Sequence, residues 1–175
     1  MPSRIFIDTE FTNLAPEAEL ISFAAVADDG REFYCEIAPT PGPTSEFVRR
    51  HVLPLLDGGS ATSTRSGFAS RLAAWLAGFD DPVLLSDSDW DIYVVRQALG
   101  GEYNRRPGPL LVPGANGPVA ARMMVIRMLS AEELTVFNAA VATHMARDPR
   151  PHHALVDARA IRDGMLAVEA ARKAR

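Results

Sequence analysis

The chain opens with short apolar runs, rich in branched residues, that alternate with polar ones and predict three strands. In REFYCEI, for example, Phe33, Cys35 and Ile37 fall on one side of an extended chain. The second and third runs meet at Asp29-Gly30, and an Asp-Gly pair between two such runs is a strong hairpin signal. The predicted strands cover residues 4–8, 19–27 and 31–38.

In the middle of the chain, apolar residues recur at the spacing of an α-helix. Beyond a proline-rich link, a short helix through Val48 and Val52 is expected to end before Pro54, because the residue before a proline avoids helical geometry. The segment 64–79 predicts an amphipathic helix. Its apolar stripe consists of Phe68, Leu72, Trp75, Leu76 and Phe79. PVLLSD then predicts a buried strand, and WDIYVVRQAL predicts a helix.

The second half of the chain is predicted to be mainly helical. A glycine- and proline-rich loop holds one short strand, LLV. Residues 119–146 are predicted to be helical with a break at Ser130, because Ser130 and Glu133 make a capping box. The last helix is expected at 154–172. The predicted fold class is therefore α/β, with one domain over residues 1–175 and a mixed sheet of about five strands covered by helices.

Composition and charge narrow the class of protein. No apolar run reaches the 18 or so residues of a membrane span, and the first residues lack the pattern of a secretory signal, so we expect a cytoplasmic protein without membrane contact. The single cysteine suits a reducing compartment. A net charge of -4 argues against the broad basic surface that a binder of long nucleic acid needs.

Two acidic residues interrupt the first apolar run. IFIDTEF carries Asp8 and Glu10 two positions apart, so both side chains project from the same face of a strand. Two carboxylates on one face repel each other unless a cation lies between them. The ordinary alternative is that Asp8 is a turn residue at the end of the strand.

Two further segments place acids at the starts of helices. In LLSDSDWDIYVV, Asp87 and Asp89 fit a turn and an N-cap, while Asp91 lies in the first helical turn. In PHHALVDARA, Asp157 follows two adjacent histidines. Taken singly, each acid has an ordinary explanation, since the helix dipole favours an acid in the first turn and a solvated helix face tolerates one.

Taken together, the three segments resemble the motifs of the DEDDh 3'-to-5' exonucleases, a family with the ribonuclease H-like fold. IFIDTEF stands as the first motif, SDSDWDIYVV as the second and HHALVDARA as the third. The resemblance runs over residues 4–170 and is strongest to small enzymes similar to ribonuclease T and oligoribonuclease. DTEF...ELIS and HALVDAR look like the compact mycobacterial-type exoribonucleases. The second motif departs from the pattern, because it holds three candidate aspartates and lacks the upstream His-Asn often seen in relatives.

The resemblance implies a two-metal hydrolase. Four acids would bind two divalent cations, Mg²⁺ or Mn²⁺, which prefer oxygen ligands: Asp8, Glu10, Asp91 and Asp157. His152 would be the general base that takes a proton from the water attacking the terminal phosphorus. The third motif leaves four residues between base and acid, which selects His152. His153 would lie exposed at the helix start, so that His153→Ala should leave most activity intact.

The resemblance also suggests substrate contacts. In relatives, residues just after the first acid touch the terminal nucleotide, and an aromatic ring is a candidate for stacking on a base. The candidates here are Thr9, Phe11, Thr12 and Trp90. For the aromatic rings, core packing is the ordinary alternative. Two arginine pairs, Arg49-Arg50 and Arg105-Arg106, are candidates for phosphate contacts, and Glu19 for support of the acids; these roles stay open.

The resulting hypothesis is hydrolysis of single-stranded RNA from its 3' end to nucleoside 5'-monophosphates. With four site acids set aside, the other acids of the chain balance its 18 Lys and Arg residues. Bound cations, rather than a basic surface, would then attract the RNA. This arrangement suits binding of only the last few nucleotides of the strand. Two alternatives stay open: a proofreading-type exonuclease acting on DNA, and a non-catalytic module that binds RNA or a protein. Related small exonucleases are often dimers, so a homodimer is an option.

Overall fold

The computed structural model describes residues 2–101, 105–126 and 129–174. Within these ranges one sheet of seven strands is flanked by five α-helices, a mixed α/β fold as predicted but with two strands more than the five expected. The strands are β1 Arg4–Phe11, β2 Leu20–Ala27, β3 Glu32–Ile37, β4 Thr62–Ser63, β5 Val83–Ser86, β6 Gly108–Val112 and β7 Val119–Val125. The helices are α1 Glu46–His51, α2 Arg65–Leu76, α3 Asp89–Ala98, α4 Ala131–Arg147 and α5 Ala154–Lys173.

Strand β1 occupies the middle of a sheet whose order is β4-β3-β2-β1-β5-β7-β6. It pairs antiparallel with β2 and parallel with β5. The predicted hairpin joins β2 to β3, and Gly30 supplies the positive φ of +87° that its turn requires. Beyond β5, strand β7 is parallel and β6 antiparallel. This topology is consistent with the ribonuclease H-like fold that the motifs imply.

Alternate residues of β1 bury against different helices. Ile5 and Ile7 belong to the core formed with α2 and α3, whereas Phe6 packs in the cluster formed with α4 and α5. Successive side chains of a strand point to opposite faces. Asp8 and Glu10 are in phase with Phe6, so the strand directs both carboxylates to the face that α5 covers.

The prediction of a helix over 119–146 is wrong for its first part, because residues 119–125 form strand β7. VAARMMV is rich in helix-forming residues, but hydrogen bonding to β5 on one side and to β6 on the other outweighs that weak propensity. The overlooked signal was the Asn-Gly pair before it, where Gly117 has a φ of +107° in the turn that returns β6 to β7. The capping box of Ser130 and Glu133 is confirmed at the start of α4.

The remaining predicted elements are confirmed within a few residues. Strand β1 continues to Phe11, so Asp8 and Glu10 lie within the strand rather than at its end. The N-cap of α3 is Ser88, whose hydroxyl accepts a hydrogen bond from the N–H of Trp90 at 3.2 Å. No helix in the described ranges combines the length and the apolar character needed to cross a membrane.

Helices α4 and α5 approach each other closely at Gly164. A Cβ built at this glycine would lie 2.5 Å from Cδ2 and 2.6 Å from Cε2 of Phe137. Real Cβ atoms do not make contacts this short, so the absence of a side chain lets the two helices pack at this distance. The contact holds α4 against α5, the helix that carries Asp157, and Phe137 also packs in the cluster with Phe6 of β1.

We therefore expect Gly164→Ala to lower the free energy of unfolding by about 1–2 kcal/mol. The added methyl overpacks the core against Phe137, and this cost exceeds the gain in helix propensity of roughly 1 kcal/mol. Urea denaturation measures the effect. Phe137→Leu is the matched background, in which the loss caused by Gly164→Ala should shrink; an equal loss in both backgrounds would contradict the assigned contact.

Candidate functional site

The acids of the three motifs come together at the carboxyl end of β1. Asp8 and Glu10 come from β1, Asp91 from the first turn of α3, and Asp157 from the first turn of α5. The charges of Asp91, Glu10 and Asp157 all act on Asp8, in that order of strength. The topology explains the convergence, since β5 runs parallel to β1 and leads into α3, while α5 crosses the other side of the strand.

Candidate ligand atoms form two groups among the described residues. The first group comprises Glu10, His152 and Asp157, and the second comprises Asp8, Asp87 and Asp91. Within each group, one ligand atom per residue lies within 4.8 Å of the others. Carboxylate oxygens at this spacing suit hard divalent cations. Each of the two groups is therefore a candidate site for a divalent cation.

Burial and repulsion from neighbouring acids raise the pKa of the four motif acids. Burial is the largest cause for each of them. Together with the charge of Asp91, it raises the pKa of Asp8 well above its ordinary value of 3.8. The pKa rises to about 8 for Glu10, about 7 for Asp91 and about 6 for Asp157. An acid such as Glu10 holds its proton at neutral pH unless another positive charge replaces the proton, and a divalent cation can supply that charge.

Asp91 is fixed by two hydroxyl groups. Its side chain is buried, and the hydroxyl of Thr9 donates to its Oδ1 at 2.5 Å. The hydroxyl of Ser86, at the end of β5, hydrogen-bonds its Oδ2. Both bonds lower the pKa of Asp91 and so offset part of the rise caused by burial. The carboxylate is therefore oriented before any ligand arrives.

His152 lies in a backbone conformation that few residues other than glycine adopt, with a φ of +68°. Its N–H donates to Oδ2 of Asp157 at 2.9 Å, which links the histidine to an acid of the cluster. The ring of Phe47 meets the imidazole edge-on, with 4.9 Å between ring centres. Partial burial, and then the charge of His51, lower the pKa of His152 from its ordinary 6.5, which favours the neutral form that can accept a proton.

Two polar residues of the site were not predicted. Asp87 stands in the group with Asp8 and Asp91, although the sequence assigned it to a turn. Its signal was position: Asp87 directly follows β5, and the carboxyl ends of the parallel strands β1 and β5 meet at one edge of the sheet. Ser86 gave no signal, because a serine inside an apolar strand does not reveal which side chain it will meet.

A cavity of about 300 Å³ adjoins the acids. Its wall includes Glu10 and four apolar residues: Phe11, Leu14, Phe47 and Val48. Leu14 is 72% exposed and Phe47 is 51% exposed, so together they place accessible apolar surface beside Glu10. A larger cavity of about 710 Å³ lies away from the acids, beside Thr64 and Gly114, and no described residue lining it is acidic or a histidine. The smaller cavity is therefore the one positioned for chemistry.

The two predicted aromatic contacts lie against each other. Phe11 and Trp90 stack with 5.9 Å between ring centres and 19° between planes. The guanidinium of Arg105 lies 3.5 Å above the ring centre of Trp90, so one member of the Arg105-Arg106 pair joins this platform. Only Phe11 of the two rings also lines the cavity among the described residues. The predicted role of Trp90 in substrate binding stays a prediction.

The two threonines predicted to touch substrate are buried. Thr9 is 4% exposed, and its hydroxyl is committed to Asp91. Thr12 is 2% exposed, and its hydroxyl accepts a hydrogen bond from the N–H of Glu19 at 3.1 Å. Both hydroxyl groups thus have partners within the protein. Their predicted substrate contacts stay predictions.

Arg50 is one of the arginines named as candidates for phosphate contacts. It forms an ion pair with Glu46 on α1.

The expectation that His153 lies exposed is wrong, because only 2% of the residue is accessible. His153 is the N-cap of α5, and its ring stacks on Tyr34 with 4.9 Å between ring centres. The helix start packs onto the sheet, so the two adjacent histidines point to different environments. His152 joins Glu10 and Asp157, as the motif register predicted.

Comparison with known proteins adds a partial similarity. No family model matches the chain. Over 70 residues the chain is 41% identical to proteins from two strains of Mycobacterium tuberculosis, both named 3'-5' exoribonuclease. The match covers 39% of this chain and 42% of each relative, so the chain spans less than half the length of the curated relatives it matches.

The raised pKa of Glu10 predicts how stability depends on pH without metal. In EDTA, Glu10→Gln should be more stable than the parent protein, by roughly 0.5–2 kcal/mol. The advantage should grow between pH 5 and 8, because the pKa of Glu10 rises from 4.5 to about 8 on folding. In this window the folded parent binds more protons than the unfolded chain, so its stability falls as pH rises, whereas the amide does not titrate.

Melting temperatures followed by circular dichroism over this pH range measure the difference. Mn²⁺ should remove the advantage, because an ion bound by Glu10 would stabilise the parent protein. Glu17→Gln, at an exposed position outside the cluster, is the matched control and should leave the melting temperature unchanged. A difference between Glu10→Gln and the parent that stays constant with pH would contradict the raised pKa.

Proposed function

We propose that the protein is a metal-dependent 3'-to-5' exoribonuclease that hydrolyses single-stranded RNA to nucleoside 5'-monophosphates. The observation that carries the proposal is the convergence of four motif acids and His152, which three different segments contribute. The partial similarity to proteins named 3'-5' exoribonuclease supports the same reaction and favours RNA over DNA.

The donor set fits Mg²⁺ or Mn²⁺. The four proposed metal ligands are carboxylates, which hard cations prefer: Asp8, Glu10, Asp91 and Asp157. Asp87 is a fifth carboxylate at the same edge. When bound, a pair of such cations would stabilise the negative charge on the attacking and leaving oxygens of a phosphodiester. The proposed number of two cations matches the two groups of ligand atoms.

His152 is the proposed general base. Its imidazole lies beside Glu10 and Asp157, and its lowered pKa favours the neutral form at neutral pH. A neutral imidazole in this place can take the proton of the water that attacks phosphorus. The hydrogen bond from the backbone N–H of His152 to Asp157 and the edge-on contact of the imidazole with Phe47 restrict where the ring can lie.

The cavity beside Glu10 is the proposed site for the terminal base. Its apolar wall offers the exposed faces of Leu14 and Phe47, and a base gains stability by stacking on an aromatic ring. Apolar and stacking contacts act on unpaired bases, which favours a single strand over a duplex. The net charge of -4 is consistent with a protein that contacts only the end of the RNA strand, rather than one with an extended basic surface for long RNA.

The direct experiment incubates a 5'-labelled oligoribonucleotide and the matching oligodeoxyribonucleotide with the protein, with Mg²⁺, Mn²⁺ or EDTA. We expect stepwise shortening of the RNA from its 3' end, release of nucleoside 5'-monophosphates, and no cleavage in EDTA. Asp8→Asn and His152→Ala should each lower kcat by at least about 100-fold, since a general base alone contributes 10²–10⁴-fold.

The outcomes discriminate between the alternatives. Cleavage in EDTA, or full activity of Asp8→Asn, would contradict the metal mechanism. A preference for the deoxyribonucleotide would favour the proofreading-type alternative. RNA binding without product in any metal would favour a non-catalytic module. If His152→Ala stayed fully active, the assignment of His152 as the base would be wrong.

A second prediction concerns the cavity. Phe47→Ala should raise KM for RNA by about 5- to 100-fold, because stacking one base on an aromatic ring is worth about 1–3 kcal/mol. Since Phe47 also touches His152, a smaller fall in kcat is expected as well. Leu111→Ala is the control, as Leu111 is 65% exposed on β6 and lies outside the cavity wall. An unchanged KM in Phe47→Ala would show that the cavity is not part of the substrate-binding site.

A further inference from the structure

The turn that carries His152 is held in a strained conformation. Its φ of +68° lies in the left-handed region, which a residue with a Cβ occupies only where surrounding contacts fix the backbone. Two backbone contacts contribute: the N–H of His152 binds Asp157, and the N–H of His153 donates to the carbonyl of Arg150 at 3.2 Å. Whatever anchors His153 therefore also sets the position of the neighbouring His152.

The side chain of His153 is an unusual anchor. Only 1% of it is exposed, and neither ring nitrogen makes a hydrogen bond to any described residue. Although His153 is the N-cap of α5, its side chain makes no capping bond. Burying two polar nitrogens without partners destabilises the folded protein. An apolar ring would fill the same space without this cost, so stability does not account for an imidazole here.

One acceptor lies just out of reach. Nε2 of His153 is 3.5 Å from Oδ1 of Asp57, beyond the 2.7–3.2 Å typical of an N–H···O bond. Asp57 is placed by its own backbone, because its N–H and that of Gly58 donate to the buried carboxylate of Glu36 at 2.7 Å and 3.0 Å. The same carboxylate accepts the hydroxyl of Tyr34 at 2.8 Å. Glu36 thus fixes both Tyr34, on whose ring His153 stacks, and the backbone of Asp57.

We propose that His153 is a positioning residue, which donates from Nε2 to Asp57 when His152 occupies its working position. A movement of the turn by less than about 1 Å closes the contact to hydrogen-bond length. Because His152 is the next residue, the bond between His153 and Asp57 limits the orientations of the base relative to Glu10 and Asp157. The inference rests on the proposed function, since it assigns His153 a role through His152.

The inference replaces the expectation from the sequence that variants of His153 keep most activity, and it predicts different effects on stability and on turnover. His153→Phe keeps an aromatic ring on Tyr34 but has no nitrogen, so its melting temperature should equal or exceed that of the parent. Its KM for RNA should be unchanged, because the cavity is untouched. Its kcat should fall about tenfold, the lower end of the loss seen when a partner that orients a site residue is removed. A residue with a merely structural role would not lower kcat while stability is retained.

Asp57 supplies the second arm of the experiment. Asp57→Ala should reproduce the tenfold loss in kcat, whereas Asp57→Asn, which keeps an acceptor oxygen, should retain near-parental kcat. The double variant His153→Phe with Asp57→Ala should be no slower than either single one. Asp163→Ala removes another His–Asp contact, the 2.8 Å pair of His144 and Asp163 between α4 and α5, and as the matched control should keep parental kcat.

Parental kcat in His153→Phe would overturn the inference, as would additive losses in the double variant or equal losses in Asp57→Asn and Asp57→Ala. An inactive parent protein would instead count against the proposed function, so the two failures are distinguishable. Because the side chain of Asp57 is half exposed, we expect its variants to fold, so that their kcat can be compared directly with that of the parent protein.

Discussion

Electrostatic repulsion among crowded, partly buried carboxylates is the constraint on which the rest of the site depends. The central strand places Asp8 and Glu10 on one face, and two helices bring Asp91 and Asp157 against them. A fold chosen for stability alone would avoid this arrangement, because burial and like charges both disfavour the ionised forms. Such unfavourable clusters occur where a protein binds a positive charge or performs chemistry.

The surroundings of the acids orient them rather than neutralise them. Thr9 and Ser86 donate to the two oxygens of Asp91, and the N–H of His152 donates to Asp157. These donors stabilise ionised carboxylates and keep their oxygens in fixed directions. The apolar cavity beside Glu10 adds a place for an unpaired base. Orientation, charge and an adjoining cavity are what a phosphodiester hydrolase needs in one place.

Much of the fold and of the acidic cluster could be predicted from the sequence, because the acids interrupt or directly border its periodic apolar segments. Strand alternation predicted that Asp8 and Glu10 share one face. The resemblance to the exonuclease motifs selected His152, which lies beside Glu10 and Asp157, and its catalytic role stays a prediction. Other features depend on tertiary packing. Strand β7 has a helix-forming composition and becomes a strand through its neighbours on both sides. The burial of His153 reflects how α5 meets the sheet, which its polar character concealed.

The central claim is that the acids at the end of β1 bind divalent cations. The most direct measurement is anomalous diffraction from crystals of the protein soaked in Mn²⁺, with data collected at the manganese absorption edge. The account predicts two anomalous peaks within bonding distance of the site carboxylates, one of them in contact with Asp8, and their loss in Asp8→Asn crystals. Peaks only elsewhere on the surface, with none at the acids, would contradict it.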